Sequence, residues 1–259
     1  MTEGPLKNGE TTNPRLFRFV HQQRTAGLSM KLALLYRARR KVGAPRPLRT
    51  SWNLWGNVVS PEQEAQLKGA GRRGERDFNL PARCIKERHP ELWDEAYTFS
   101  IVRNPYPRVY SMYYHRMQHR PFLLHRSPGN RAILHAAGRA AAMTFPEWVE
   151  EIYTKPASER IKPLQGALRG PAGWTLPQWD WISSAEGEVI VDFVGRFETL
   201  EGSFQTIQSQ IGSSRTLAQA NGHPDRPPYQ EAYTEKTIEL IRNAYAIDFE
   251  KFNYDVAFS

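Results

Sequence analysis

Two short segments of this chain combine arginine and hydroxyl residues in patterns that suit phosphate binding. Residues 24–29 read RTAGLS and follow an apolar run at 16–20. Residues 102–111 read VRNPYPRVYS and begin at the last residue of a second apolar run, 97–102. An arginine guanidinium can donate two parallel hydrogen bonds to phosphate oxygens, and serine and threonine hydroxyls add further donors. Two such segments in one chain predict a ligand that carries a phosphate at each end.

Each segment lies where a strand is expected to end and a helix to begin. The runs 16–20 and 97–102 have the apolar and aromatic character of buried strands, and residues 30–40 and those after 104 have helical character. A strand, a tight turn and a helix N-terminus present free backbone N–H groups and the positive end of the helix dipole to an anion. Alternating strands and helices predict an α/β fold with a parallel sheet, whose ligands lie at the carboxyl ends of the strands.

The rest of the chain is predicted to be mostly helix and loop. The predicted helices are residues 81–95, with a break near Pro90, 144–153, 199–210 and 234–252. Residues 43–59 and 156–177 are predicted to be irregular, and residues 189–197 have β character. We expect one domain over residues 14–259, preceded by a disordered leader at residues 1–13.

Composition narrows the class of protein. The 259 residues are 40% hydrophobic and include one cysteine, Cys84, so they can build a core but no internal disulfide. No run approaches the roughly 20 apolar residues that span a bilayer, and no secretory signal is evident, so we expect a cytoplasmic protein that does not bind membranes. The net charge of +8 favours anionic partners. No zinc-finger, basic-zipper or RNA-binding signature is present, so nucleic acid is not an expected partner.

Four parts of the chain resemble the sulfotransferases that use 3'-phosphoadenosine 5'-phosphosulfate (PAPS). Residues 21–29 (HQQRTAGLS) look like that family's 5'-phosphosulfate loop, H-x-P-K-T-A-G-x-S, and residues 102–111 resemble its 3'-phosphate motif, V-R-N-P-x-x-R-x-x-S. Residues 193–200 (FVGRFETL) are similar to a downstream F-V-G-R-F-E-x-L segment, and residues 229–254 resemble the family's C-terminal helix. The resemblance covers about residues 15–255.

The resemblance implies a P-loop-like three-layer α/β fold, with a central parallel sheet and flanking helices. It implies transfer of a sulfuryl group from PAPS, which leaves as 3'-phosphoadenosine 5'-phosphate (PAP), to a hydroxyl or amine of a small-molecule or glycan acceptor. Residues Thr25 to Ser29 would cradle the 5'-phosphate, and Arg103 and Ser111 would bind the 3'-phosphate. The implied cofactor-binding residues are Arg24, Thr25, Ala26, Gly27, Leu28, Ser29, Arg103 and Ser111.

Two positions depart from the family pattern and bear on catalysis. Arg24 stands where the family usually has lysine, and because arginine cannot readily give up a proton, Arg24 is expected to act by electrostatics alone. Related enzymes often place a histidine roughly twenty residues before the V-R-N-P strand end, but this chain has none there. Asp77 is our candidate for the general base and His21 a second candidate, and an acidic acceptor such as a phenol would need little help from a base.

Other functions stay open at this stage. A non-catalytic PAPS- or PAP-binding protein of the same fold is one alternative, and a P-loop nucleotide kinase is another, although no G-x-x-x-x-G-K-[ST] motif is present. His115 and His119 have metal-ligand spacing but no evident third ligand, so no metal site is predicted. The sequence predicts neither the acceptor nor the oligomeric state.

Overall fold

The computed structural model describes residues 16–22, 25–34, 55–56, 80–118, 143–160, 175–214, 216–217 and 226–259. The strands in these residues are β1 (Phe17–Phe19), β2 (Trp55–Gly56), β3 (Tyr97–Val102) and β4 (Phe193–Arg196). The α-helices are α1 (Gly27–Leu34), α2 (Ala82–Arg88), α3 (Pro90–Glu95), α4 (Pro105–Gln118), α5 (Phe145–Tyr153), α6 (Ala157–Arg160), α7 (Trp179–Ile182), α8 (Leu200–Ile211), α9 (Glu235–Ala244) and α10 (Ala246–Lys251). A 3₁₀ helix spans Tyr229–Ala232.

The described strands form one sheet in the order β2-β1-β3-β4. Strands β1, β3 and β4 are parallel, with Phe19 opposite Phe99 and Val102 opposite Arg196. The predicted parallel sheet with flanking helices is therefore confirmed. Strand β2 pairs with β1 in the antiparallel direction, although we had predicted a loop at residues 43–59. Two residues are too few to show a strand pattern, and it is the free edge of β1 that supplies their hydrogen bonds.

The sheet is covered on both faces, which makes three layers. Side chains alternate along a strand, so Phe17, Phe19 and Phe99 point to one face, where Met30 of α1 and Phe204 of α8 pack against them. The opposite face carries the larger apolar cluster, built mainly from helices α2 to α5, α7, α9 and α10. All six residues of β3 are buried, as expected for the central strand of a sheet with two covered faces.

Most helix predictions agree with the structure. The structure differs from one predicted helix and from one segment predicted to be irregular. The break near Pro90 separates α2 from α3, and Thr144 and Glu147 form the predicted capping box of α5. The predicted helix 234–252 is two helices, because Tyr245 leaves helical geometry at φ −121° and ψ 24° while its ring is fully buried. Residues 157–160 form the short helix α6 inside a segment that we had predicted to be irregular.

Several predictions fall on residues that the structure does not describe. They include the leader at 1–13, part of the predicted helix 30–40, and the candidates Arg24 and Asp77. The described part of the chain contains no helix that is both long and apolar enough to cross a bilayer.

Candidate functional site

The two phosphate-binding candidates begin side by side. The backbone N–H of Val20 donates to the carbonyl of Phe99 at 2.8 Å, and the hydroxyl of Ser100 donates to the carbonyl of Val20 at 2.8 Å. These bonds hold the end of β1 against β3, its parallel neighbour. The segments that follow β1 and β3 therefore leave the sheet at the same edge, where the carboxyl ends of parallel strands commonly form ligand sites.

The first segment makes a tight turn into α1. Thr25 is fully buried, and its hydroxyl donates to the carbonyl of Gln22 at 3.0 Å. Ala26 has a φ of 62°, in the left-handed region that non-glycine residues rarely adopt, and its carbonyl accepts the N–H of Met30 at 3.0 Å. This conformation lets α1 begin at Gly27, with Ser29 buried in its first turn and no acidic residue in that turn. The turn thus presents a helix N-terminus at the sheet edge.

The second segment begins α4. Asn104 caps this helix, because its side-chain Oδ1 accepts the N–H of Tyr106 at 3.0 Å and its carbonyl accepts the N–H of Arg108 at 3.1 Å. The guanidinium carbon of Arg103 lies 4.1 Å from the centre of the Phe197 ring, which is close enough for a cation–π interaction. Ser111 is buried on α4, about two helical turns beyond Arg103, which precedes the helix.

A fully buried glutamine, Gln178, holds the backbone of Arg103. Its Oε1 accepts the N–H of Arg103 at 2.8 Å, and its Nε2 donates to the carbonyl of Arg103 at 2.7 Å. Asp248 of α10 is also buried and accepts hydrogen bonds from the backbone N–H of Gln178 at 2.8 Å, its Nε2 at 3.2 Å and the backbone N–H of Trp179 at 2.9 Å. Burial raises the pKa of Asp248, and the charge of Arg108 opposes that shift. Gln178 lies in none of the motifs recognised in the sequence, and Asp248 lies in the segment 229–254 without having been singled out there.

The segments 193–200 and 229–254 also reach the start of α4. The carboxylate of Glu198 accepts the N–H of Asn104 at 2.8 Å and the hydroxyl of Tyr254 at 3.0 Å. Arg196 donates to the carbonyl of Phe252, and its guanidinium lies 4.7 Å from the centre of the Tyr254 ring. The segment 193–200 therefore contacts the second phosphate candidate directly, and the segment 229–254 supports it by contacting Glu198 and Arg196.

The structure brings most of the predicted site residues to this edge of the sheet. They are Thr25, Ala26, Gly27, Leu28, Ser29 and Arg103, of which the side chain of Leu28 is not described, whereas Ser111 lies further along α4. Arg24 and Asp77 lie outside the described residues, so their proposed roles stay predictions. His21, the second candidate for the base, is buried just after β1, with its ring edge-on to Phe19 at 5.6 Å.

No metal centre emerges in the part of the chain that the structure describes. No group of three or more His, Cys, Asp or Glu residues there is arranged to hold a metal ion. His115 lies half-buried on α4, and its possible companion His119 is outside the described residues. The single cysteine is half-buried on α2, and burial raises the pKa of the Cys84 thiol, which keeps it in its less reactive form.

One comparison with known proteins identifies the family of this chain. Searches of curated proteins and of solved structures gave no significant match. A family model with the description "Sulfotransferase family" matches residues 75–255. This stretch includes β3, Arg103, Ser111 and β4, whereas the turn after β1 precedes it. Since the match spans more than half of the chain and contains the second phosphate candidate with its supporting segments, the protein belongs to the sulfotransferase family.

Proposed function

We propose that this sulfotransferase uses PAPS as its donor and transfers the sulfuryl group to a hydroxyl or amine of a small-molecule or glycan acceptor, with release of PAP. The observation that supports this most directly is the pairing of β1 with β3. That pairing puts two turns next to each other, and each turn enters a helix. A nucleotide with a phosphate on both its 5' and 3' positions matches two neighbouring anion sites.

The first turn has the donors that a 5'-phosphate requires. Backbone N–H groups at the start of α1 lack partners within the helix, as at any helix N-terminus, and the helix dipole favours an anion there. Ser29 adds a hydroxyl in the same turn, whereas the hydroxyl of Thr25 donates to the carbonyl of Gln22 and so holds the shape of the turn. Arg24, adjacent in sequence, would neutralise negative charge on the leaving phosphate without giving up a proton.

The second turn would bind the 3'-phosphate through Arg103 and Ser111. Arg103 supplies charge and a forked pair of donors, and Ser111 supplies a hydroxyl from the helix that follows. The first turn of α4 contains no acidic residue that would repel an anion. Because ATP and AMP lack a 3'-phosphate, these two residues would make the site selective for PAPS and PAP.

Transfer also requires that the acceptor lose a proton. PAPS supplies the sulfuryl group, whose sulfur forms a bond to the acceptor oxygen or nitrogen as its bond to the 5'-phosphate oxygen breaks. Asp77 is our candidate to take the proton from the acceptor, and His21 is the second candidate, placed just after β1. A phenolic acceptor would need little assistance from either residue.

Two other functions make different predictions. A non-catalytic protein of the same fold would bind PAP but leave PAPS intact. Two departures from the family pattern favour keeping this alternative: the arginine at position 24, and the absence of a histidine roughly twenty residues before the V-R-N-P strand end. A P-loop nucleotide kinase would prefer ATP, and it lacks support because the chain has no G-x-x-x-x-G-K-[ST] motif and matches the sulfotransferase family.

Calorimetric titration with PAP, AMP and ATP tests the choice of donor. We expect the wild-type protein to prefer PAP, and Arg103→Ala to lose about 1.5–3 kcal/mol of PAP binding, the usual contribution of a hydrogen bond to a charged group. Arg242→Ala removes the same charge from an exposed position on α9 and should bind PAP like the wild type. Equal affinity for PAP and AMP in the wild type would contradict the proposal. Transfer of radiolabelled sulfate from PAPS to a panel of phenols, amines and glycans then separates an enzyme from a binding protein.

A further inference from the structure

We infer that Gln178 is a positioning residue for Arg103 and thereby sets how strongly the protein selects a nucleotide with a 3'-phosphate. This inference rests on the proposed function, because it assigns the 3'-phosphate to Arg103. Gln178 lies 75 residues after Arg103 in the sequence and is not exposed to solvent. It would act through Arg103 rather than by touching the nucleotide.

The contact between these residues is a matched pair of hydrogen bonds. The side-chain Oε1 of Gln178 accepts the N–H of Arg103 at 2.8 Å, and Nε2 of the same amide donates to the carbonyl of Arg103 at 2.7 Å. Two bonds to a single residue fix both the position and the rotation of its backbone. Arg103 is the first residue after β3, so this pair determines where its side chain leaves the sheet edge.

Asp248 fixes which way the amide of Gln178 points. Nε2 of Gln178 donates to Oδ2 of Asp248 at 3.2 Å as well as to the carbonyl of Arg103. A flipped amide would place Oε1 against both of these acceptors and Nε2 against the N–H of Arg103. The carboxylate therefore keeps the amide in the orientation that pairs with Arg103, and it connects α10 to the turn after β3.

The backbone of Gln178 reaches the other turn. Its carbonyl accepts a hydrogen bond from Nε2 of Gln22 at 3.4 Å, and Gln22 also donates to the hydroxyl of Ser100 at 3.1 Å. Gln22 belongs to the turn after β1, where its own carbonyl accepts the hydroxyl of Thr25. Because the bond to Gln22 uses the backbone of Gln178, replacing the side chain removes the contact to Arg103 and leaves the contact to the first turn.

This separation gives a selective test with Gln178→Met, which keeps the length of the side chain and removes both of its hydrogen-bonding groups. We expect PAP affinity to fall about tenfold, as for the loss of one or two ordinary hydrogen bonds, and AMP affinity to change less than about twofold. In an Arg103→Ala background, Gln178→Met should weaken PAP binding by less than about twofold, since the group through which it acts is gone. A residue that only stabilised the fold would lower the affinities for PAP and AMP together.

Two control variants separate positioning from general effects. Gln205→Met makes the same change at an exposed position of α8, and Tyr153→Phe removes the buried hydrogen bond between the hydroxyls of Tyr153 and Tyr245, 2.8 Å apart. Both should keep the wild-type preference for PAP over AMP. Should Gln178→Met fail to fold, Gln178→Asn keeps a neutral amide that is one methylene shorter, so it cannot reach both groups of Arg103 and should lose PAP affinity selectively as well.

The outcomes also distinguish this inference from the proposed function. A wild-type protein that binds AMP as well as PAP removes the proposed function, and this inference with it. A wild-type protein that prefers PAP, together with Gln178 variants that keep the full preference or lose both affinities equally, overturns the inference alone. Selective loss of PAP affinity that disappears in the Arg103→Ala background supports it.

Discussion

The carboxylate of Glu198 accepts a hydrogen bond from the backbone N–H of Asn104, with 2.8 Å between Oε1 and the nitrogen. Its other oxygen accepts the hydroxyl of Tyr254 at 3.0 Å. Burial, reinforced by the neighbouring carboxylate, raises the pKa of Tyr254 and keeps this hydroxyl protonated as a donor. Glu198 thus ties the segment after β4 and the C-terminal region to the residue that follows Arg103. It is also a negative charge beside a proposed phosphate site.

Substitutions at Glu198 should separate these two effects. Glu198→Gln keeps an acceptor for the N–H of Asn104 and removes the charge, so we expect PAP to bind as tightly as to the wild type or more tightly. Glu198→Ala removes the acceptor too, and because Glu198 is exposed we expect PAP affinity to fall by only about two- to fivefold. Calorimetry at two salt concentrations measures both variants, since salt screens the charge effect. Tighter binding by Glu198→Ala than by the wild type would show that the charge alone matters.

Ser111→Ala should weaken PAP binding about tenfold and leave AMP binding nearly unchanged. The proposed role gives this buried hydroxyl a charged 3'-phosphate as its partner, and hydrogen bonds to charged groups are the stronger kind. Ser209→Ala is the matched control, since it removes a serine hydroxyl from the exposed part of α8. If PAP and AMP affinities fall by the same factor, Ser111 does not bind the 3'-phosphate.

Gly195→Ala should destabilise the protein by about 1–3 kcal/mol, as overpacking of a filled core does. A Cβ at position 195 would lie 2.7 Å from Cδ1 of Ile101 and 2.7 Å from Cβ of Ser203, inside van der Waals contact. Gly202→Ala serves as the control, because a Cβ there meets nothing within 4 Å and alanine favours the helix by about 0.5–1 kcal/mol. Thermal unfolding should therefore move in opposite directions for the two variants, and a neutral Gly195→Ala would contradict the close contact of α8 with β4.

The thiol of Cys84 should react slowly. Burial raises its pKa, so at pH 8 less of it is thiolate than in an unfolded chain, and the fraction should grow as the pH rises past the ordinary thiol range. Alkylation with iodoacetamide, followed by mass spectrometry, should be slower in the folded protein than in denaturant. As Cys84 is the only cysteine, the signal has a single source. PAP binding by Cys84→Ala should match the wild type, and a loss of sulfuryl transfer in that variant would give the thiol a role that we do not assign to it.

Local sequence patterns predicted those helices and strands whose own residues show a recognisable pattern. The aromatic and β-branched run at 97–102 became β3, and the Thr144 to Glu147 capping box became the start of α5. Strand β2 and the division of the last helix at Tyr245 had no such signal. The first depends on the free edge of β1, and the second accompanies the burial of a tyrosine ring, so both depend on partners distant in the chain.

The sequence by itself determined the chemistry of the two phosphate candidates, because arginine and hydroxyl residues placed between a strand run and a helix run can be recognised without coordinates. It also indicated the sulfotransferase family through residues 102–111 and 193–200, which lie in the stretch that the family model matches. Only the tertiary structure decided that β1 and β3 are neighbours and that Gln178, Asp248 and Glu198 support the second turn. These contacts join residues about 70 to 95 positions apart, and such long-range hydrogen bonds leave no periodic trace in the sequence, because folding alone brings their partners together.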